Sequence, residues 1–491
     1  MRFLLDTNIL IPLENSQVVL EESLAHFVRL ANEHGHQLVY HPASEDDISR
    51  DIDSVRRGQT FERLKQYIRL QDRLVCPWNS SSTNPNDQAD NEILYALKCE
   101  SAHALVTEDR GIHDKAKRYG LVDRVYTIQT ARDWLRRLHE KINVRLPNIE
   151  DRELSFLTPY LATEFFNSLR QAYEFDKWFR AKAREGKRAW VAWEAPNRIG
   201  AICVYAQQSN ERIMEDGLIL KGAALKLCTF KVAESLRGQK IGELFLKAAF
   251  RYATANHLEN IFIHGDEDEH HLLFELLEDF GFERVGSHPG SNGRDAVYVK
   301  KHPAQTPSLA ALQPFDYFKT FFPHFRHDAA ISKFIVPIRP AYHEILFPDF
   351  ELPSGAQLNL FRNPNPAGNA IKLAYLCHAQ TKEMKPGDIV LFYRSADLQA
   401  LTTIGVVENY AGLNDATAIA TLVKRRTVYS MKEIEGMAKK LTRVMLFRLV
   451  RHIRQPLSKD WLITNGILVD VPQSITKIKN ETFDKLLTNA E

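Results

Sequence analysis

The run Phe3-Leu4-Leu5-Asp6-Thr7-Asn8 constrains this chain more than any other short segment. An unbroken apolar stretch suits a strand buried on both faces of a parallel sheet. The residue just beyond such a strand faces the edge of the sheet where ligands bind. An acid there, followed by Thr and Asn, predicts a polar site. Further apolar pieces at 37–40, 104–107 and 124–127 are separated by helical patterns, which predicts a parallel α/β domain over residues 1–145.

Four acids fall at strand ends or helix starts of this region. Asp6 ends the first strand, and Asp47 follows the second within Glu45-Asp46-Asp47-Ile48. Asp90 opens an amphipathic helix, and Asp109 closes Leu105-Val106-Thr107-Glu108-Asp109. Strand C-terminal ends share one edge of a parallel sheet, so these acids can converge. Crowded carboxylates do not all ionise without a cation, and oxygen-only ligands favour Mg²⁺ or Mn²⁺. A metal held there would serve phosphodiester hydrolysis. Taken singly, each acid reads as a helix cap or surface charge.

The ordered set Leu4-Leu5-Asp6-Thr7-Asn8, the acid near Asp47, Asp90-x-x-Ile93-Leu94 and Val106-Thr107-x-Asp109 resembles the PIN family of metal-dependent ribonucleases. The resemblance implies a parallel α/β/α fold and cleavage of single-stranded RNA. It also implies Asp6, Asp47, Asp90 and Asp109 as catalytic acids, with Asp6, Asp90 and Asp109 as metal ligands. Glu45, Asp46 and Asp47 compete for one position; Asp47 is chosen because it directly precedes Ile48.

Residues 151–302 begin with helical patterns at 161–173 and 175–185, then strand patterns at 189–194, 200–206 and 224–232. A glycine-containing turn, Arg237-Gly238-Gln239-Lys240-Ile241-Gly242, leads into a helix at 242–255. A strand, a turn and a helix N-terminus form an anion cradle. A strand at 261–264, a helix at 272–280 and a last strand at 296–300 follow. The Arg237–Gly242 turn and Phe280-Gly281-Phe282 resemble the GNAT family of acyl-CoA N-acyltransferases. The resemblance implies a mixed sheet with helices and binding of acetyl-CoA. The pyrophosphate would lie on Arg237, Gly238, Gln239, Lys240, Ile241 and Gly242, and the pantetheine along Phe230–Val232. Lys240 stands where the family usually has glycine, and Leu277 where it often has a tyrosine acid. Glu234, His264 and Asp266 are candidate bases.

Residues 303–329 have linker composition, with Pro303, Pro307 and Pro314. Residues 330–491 hold short β-rich runs. Met384-Lys385-Pro386-Gly387-Asp388 leading into an apolar strand resembles the PUA-like superfamily that includes ASCH and EVE domains, which implies a small β-barrel that reads RNA. Between Lys424 and Asp460 eleven Lys or Arg face three acids, Glu433, Glu435 and Asp460. Arg425, Arg426, Lys439, Lys440, Arg443, Arg448, Arg451 and Arg454 could line a backbone-binding face, and Tyr393, Tyr410 and Tyr429 could stack bases.

Net charge is +2 over 491 residues, so no global field commits the chain to nucleic acid. Five cysteines without a C-x-x-C pair argue against zinc and a disulfide framework, and read as reduced thiols of a cytoplasmic protein. No apolar run is long enough to span a membrane. The leading expectation is a multidomain α/β and α+β protein: an Mg²⁺-dependent endoribonuclease joined to an N-acetyltransferase and an RNA reader. Its partners would be single-stranded RNA or tRNA, an acyl acceptor and, in a toxin-like setting, an antitoxin. One alternative is an acetyltransferase acting on tRNA, aminoacyl-tRNA or a ribosome-associated protein, with the PIN-like part as scaffold. Another is a non-enzymatic RNA-binding regulator.

Overall fold

The structure is a computed structural model. It describes residues 1–10, 18–81, 83–140, 149–172, 174–214, 217, 219–236, 239–289, 293–308, 311–350 and 370–489. The chain forms two compact units, residues 1–142 with 429–433, and residues 143–428 with 434–491.

The first unit holds five strands: β1 (Arg2–Leu5), β2 (Gln37–Tyr40), β3 (Ile68–Arg69), β4 (Ala104–Val106) and β5 (Val125–Tyr126). All pairs are parallel, in the order β3-β2-β1-β4-β5. β1 is buried on both faces, as its apolar run predicts. Phe3 meets Phe27 and Trp134 edge-on, at 5.2 and 5.5 Å between ring centroids. Leu4 packs on the other face with Ile93, Leu94, Leu105 and Ile112. The chain reverses its winding between β1 and β4, the place where an open α/β sheet leaves a crevice.

The second unit contains two sheets. The first runs β11-β12-β10-β9-β8-β7-β6, from β6 (Ile149–Glu153), β7 (Arg188–Ala195), β8 (Arg198–Arg212), β9 (Ile219–Val232), β10 (Asn260–Asp266), β11 (Glu283–Ser287) and β12 (Asp295–Lys301). Only β9 and β10 pair in parallel within it. The second sheet runs β14-β17-β16-β15-β13-β18, from β13 (Lys333–Ile338), β14 (Lys372–Cys377), β15 (Ile389–Arg394), β16 (Ala400–Leu413), β17 (Thr442–Ser458) and β18 (Thr476–Ile478). The expected barrel does not close among the described residues. β14 and β18 end the sheet as edges, and register shifts between β16 and β17 supply its bending instead.

The proline-rich stretch expected as a linker contains the helix Pro314–Phe321, with Pro314 in its first turn. It buries Tyr317, Phe318, Phe321 and the following Phe322. Phe318 and Phe322 share one core with Phe250 and Phe280 of the first sheet's layer and with Ile371 and Val406 of the second. Linker composition does not keep this segment loose, because its aromatics have a core to fill.

A buried ionic network also joins the two sheets. Arg448 donates to Asp279 at 2.8 Å and to Glu408 at 3.0 Å. Arg426 reaches Glu408 at 2.7 Å, and Lys372 pairs with Asp279. Burial alone would raise the Asp279 carboxyl, but Lys372 and Arg448 outweigh it and hold it well below the usual range. Glu408 is likewise held low against its burial, by Arg426 and Arg448.

Removing one partner of a buried pair strands the other charge, at a cost of about 3–5 kcal/mol. Arg448→Ala leaves Asp279 to Lys372 and Glu408 to Arg426, so it should destabilise the second unit by no more than that in urea denaturation of the full chain, while the exposed Arg454→Ala should change little. Both carboxyls have folded pKa values below their unfolded ones, so their contribution is complete above about pH 4 and lost as pH falls below it. A stability–pH curve that stays flat below pH 4 would contradict this.

Candidate functional site

Two sites emerge from the two units. In the first, Asp6 lies directly beyond β1 and is 3% exposed. Its Oδ2 accepts from Thr107 Oγ1 at 2.7 Å, and its Oδ1 accepts from the Thr7 N–H at 2.7 Å. The Asn8 side chain donates to Thr107 Oγ1 at 3.2 Å, and the Asp109 N–H donates to the same oxygen at 2.9 Å. The loops after β1 and β4 are thereby locked together across the crevice. Burial, then repulsion from Asp90 and Asp109, raises Asp6 to about 7 against the pull of the Thr107 hydroxyl. Asp90 rises to about 6 through burial, opposed by Lys115 and reinforced by the charges of Asp109 and Asp47. The four expected acids therefore do feel one another. Of the three consecutive acids, Asp47 adds its charge to the rise of Asp90. All three are ion-paired: Glu45 with Arg69 at 2.9 Å, Asp46 with Arg73 at 2.6 Å and Asp47 with Arg50 at 2.8 Å.

The expected metal set is not arranged to hold an ion. Among the described residues no three His, Cys, Asp or Glu groups have that geometry. Each Asp6 oxygen accepts one hydrogen bond, from Thr107 or from Thr7. Asp109 caps the helix Arg110–Arg118 through the Ile112 N–H at 3.0 Å. The local cation is an ammonium: Lys115 Nζ lies 2.6 Å from Asp87 and 3.0 Å from Asp90. Lys115 escaped the sequence reading, although Asp87 and Asp90 one helical turn apart form a ready cradle for it. Mg²⁺ or Mn²⁺ thus does not fit Asp6, Asp90 and Asp109 as they stand.

In the second unit, β9 and β10 pair from Ala224↔Asn260 to Leu227↔Ile263 and then part. β9 continues to Val232 and β10 to Asp266. A bulge marks the parting: Val204 opposes Thr229 and Tyr205 opposes Leu227, leaving Cys228 extra. Beyond it, Phe230 and Val232 remain paired to Cys203 and Ala201 of β8, while their β10 side stays unpaired among the described residues. Phe230 also meets Phe245 edge-on at 5.3 Å.

The helix Ile241–Ala255 begins beside this gap. Its N-cap is Lys240, at φ +60°, a left-handed backbone that favours glycine. Lys240 keeps that conformation with its side chain buried. Its ammonium donates to the Lys372 carbonyl at 3.0 Å and lies 3.7 Å from Glu243. Gly242 is closely packed: a Cβ there would sit 2.7 Å from the end of the Leu276 side chain, which would have to shift. Gln239 and Ile241 complete the described part of the turn; Arg237 and Gly238 lie outside the described residues.

On the other face of the gap, His264 Nδ1 lies 3.0 Å from Asp295 Oδ2. Its ring stacks on His288 at 3.7 Å. Burial, then His288, lowers His264 to about 4. The other candidate bases are elsewhere engaged or exposed. Asp266 caps its own turn by accepting from the Asp268 N–H at 2.7 Å, and Glu234 is exposed. Leu277 is fully buried in the core.

Residues 154–282 match the profile of the Acetyltransferase (GNAT) family. The second unit contains a GNAT domain. Solved structures similar to this chain include a GNAT-family acetyltransferase from Staphylococcus aureus Mu50, at 12% identity and TM-score 0.24, covering 31% of this chain and 99% of that one. Another is the PaiA N-acetyltransferase from Thermoplasma acidophilum in complex with coenzyme A, at 15% identity and TM-score 0.23, covering 32% and 99%. An ASCH protein from Zymomonas mobilis is similar at 13% identity and TM-score 0.24, covering 32% and 94%. No curated protein matches the chain.

The basic residues after the GNAT domain divide by burial. Arg426 and Arg448 serve the ionic network, and Arg443 is buried with its Nε donating to the Ala379 carbonyl. Lys439, Lys440 and Arg454 are exposed. Tyr393 and Tyr429 are buried, and Tyr410 is half-buried with its hydroxyl donating to the Thr381 carbonyl at 2.9 Å. Among the described residues no helix is long and apolar enough to cross a membrane.

The raised Asp6 has a measurable consequence. The folded state holds this proton between about pH 4 and 7 while the unfolded chain releases it, so the first unit loses stability as pH rises through that window. Asp6→Asn should stabilise the unit on the order of 3 kcal/mol at pH 8 and leave it unchanged below pH 4. Calorimetric melting of the full chain at both pH values checks this; equal melting temperatures at pH 8 would refute it.

Proposed function

We propose that the second unit transfers an acyl group from acyl-CoA, acetyl-CoA in the first instance, to an amine. The observation that carries the reading is the parting of β9 and β10 at a bulge, beside a helix N-terminus. The parted strands leave a slot whose β9 wall, Phe230 to Val232, offers unpaired backbone groups to an extended amide-containing arm. The first turn of the helix Ile241–Ala255 supplies N–H donors and a dipole suited to pyrophosphate. A backbone N–H at the bulge would polarise the thioester carbonyl. Lys240 in its left-handed conformation supports the reading, since that position keeps the backbone a glycine would favour. Arg237, Gly238, Gln239, Lys240, Ile241 and Gly242 are the proposed pyrophosphate loop. The exposed Lys439, Lys440 and Arg454 favour an acceptor on or beside RNA, such as tRNA, aminoacyl-tRNA or a ribosome-associated protein.

Isothermal calorimetry with acetyl-CoA tests this directly. The wild-type chain should bind, and Arg237→Glu should weaken binding at least about tenfold, the equivalent of 1.4 kcal/mol. Equal heat from both proteins, or none from the wild type, would remove the proposal.

A second reading concerns residues 1–142 and rests on the electrostatic coupling of Asp6, Asp90, Asp109 and Asp47 at the sheet's crevice. Such an acidic edge suits a site for RNA phosphodiester hydrolysis, and perturbed carboxyls mark functional sites. The residues as arranged hold Lys115 and not a metal, so no metal-dependent step is drawn. A ribonuclease assay with Mg²⁺, Mn²⁺ and EDTA decides: activity above that of Asp6→Asn/Asp109→Asn supports hydrolysis, and equal activity rules it out.

A further inference from the structure

His264 is the first residue of β10 beyond the last β9–β10 pair, so it stands at the mouth of the gap. Alternation along β10 fixes its face. Ile261 and Ile263 pack with Leu225, Leu227 and Phe245 in the core on one side of the sheet. Phe262 packs in a separate cluster with Val297 on the other. His264 shares the Phe262 face, away from the proposed pyrophosphate loop. Thr229 comes to the same face across the gap: it opposes Val204, which packs in a third core with Phe175 and Phe179. Thr229 is 6% exposed, and its Oγ1 is buried with no hydrogen-bond partner among the described residues. A buried hydroxyl without a partner is costly and calls for a ligand.

Asp295 orients the imidazole. An ionised carboxylate only accepts, so Nδ1 carries the proton and Nε2 presents its lone pair. Four charged or titratable groups face the ring or its partners. They are Asp295 on β12, His288 after β11, Lys226 on β9 and Glu211 on β8, which holds Lys226 at 2.5 Å.

We propose that His264, oriented by Asp295, is the general base that takes the proton from the acceptor amine, with the Thr229 hydroxyl binding the acceptor or the acyl carbonyl. The inference rests on the acyl-CoA reading above. The amine nitrogen attacks the thioester carbonyl carbon and a C–N bond forms. The proton on that nitrogen passes to His264 Nε2. The C–S bond breaks, sulfur leaves with the electron pair as thiolate, and the imidazolium returns the proton to it through solvent. The products are the amide and the free CoA thiol. A weakly basic imidazole suits this order of events, because nitrogen becomes strongly acidic only once it has attacked.

Three measurements on the full chain test the assignment. Calorimetry establishes acetyl-CoA binding by the wild type, His264→Gln and Asp295→Asn. Diethyl pyrocarbonate labelling, mapped by mass spectrometry, compares His264 with the exposed His270. Enzyme-dependent CoA release is followed with butane-1,4-diamine and with water alone as acceptor. The expected result is unchanged acetyl-CoA affinity in both variants and slower labelling of His264, but not His270, when acetyl-CoA is bound. CoA release should fall by about 10²–10⁴ in His264→Gln. It should also return in part when imidazole is added to His264→Gly. In Asp295→Asn the acid limb of the pH–rate profile should move. Binding with unprotected His264 overturns the assignment and leaves the acyl-CoA reading standing, as does undiminished release by His264→Gln. Absence of binding by the wild type overturns the reading itself, and the base with it.

Discussion

Arg448 is the interaction on which the second unit depends. One buried guanidinium joins Asp279, at the end of the helix His271–Asp279, to Glu408 on β16. The same network reaches Lys372 on β14, whose N–H donates to Glu243 in the first turn of the helix Ile241–Ala255. Both helices that flank the β9–β10 gap are therefore tied to the second sheet by charge. Each carboxylate has one cation of its own, Lys372 for Asp279 and Arg426 for Glu408, and Arg448 is the charge that links the two pairs, so it binds the two sheets to one geometry.

That geometry explains Lys240. A lysine in a left-handed N-cap carries a backbone penalty that glycine would avoid. Here its ammonium crosses to the Lys372 carbonyl and approaches Glu243, so the side chain compensates through contacts made with β14. The departure from the family's usual glycine thus has a structural cause outside the domain's own sequence. It keeps the left-handed conformation at its own position while fastening that position to the neighbouring sheet.

The acidic edge of the first unit shows how far convergence alone goes. Topology delivers Asp6, Asp47, Asp90 and Asp109 to one neighbourhood, and their raised or coupled charges record it. Convergence does not make a metal site, because ligands need free lone pairs at fixed separations. Among the described residues these acids do not take up such an arrangement, and Lys115 lies between Asp87 and Asp90 instead.

Local pattern determined much of this protein. The strands at 2–5, 37–40 and 104–106 follow from short apolar runs, whereas β3, two exposed residues long, and β6, β11, β13 and β18 of the second unit were not read. The strand–turn–helix run around Lys240 and the late Phe280-Gly281-Phe282 junction were legible because they are contiguous. Burial and long-range pairing were not. The prolines of 303–314 read as linker until Phe318 and Phe322 found a core, and Arg448 read as a surface cation until Asp279 enclosed it. Asp295 and Thr229 lie 31 and 35 residues from His264 in sequence. Only sheet register brings Asp295 to its imidazole and a bulge turns Thr229 to its face. The sequence alone determined which elements form and which chemistry they carry. Tertiary structure decided which charges are spent on packing and which are left for a substrate, because that depends on partners distant in the chain.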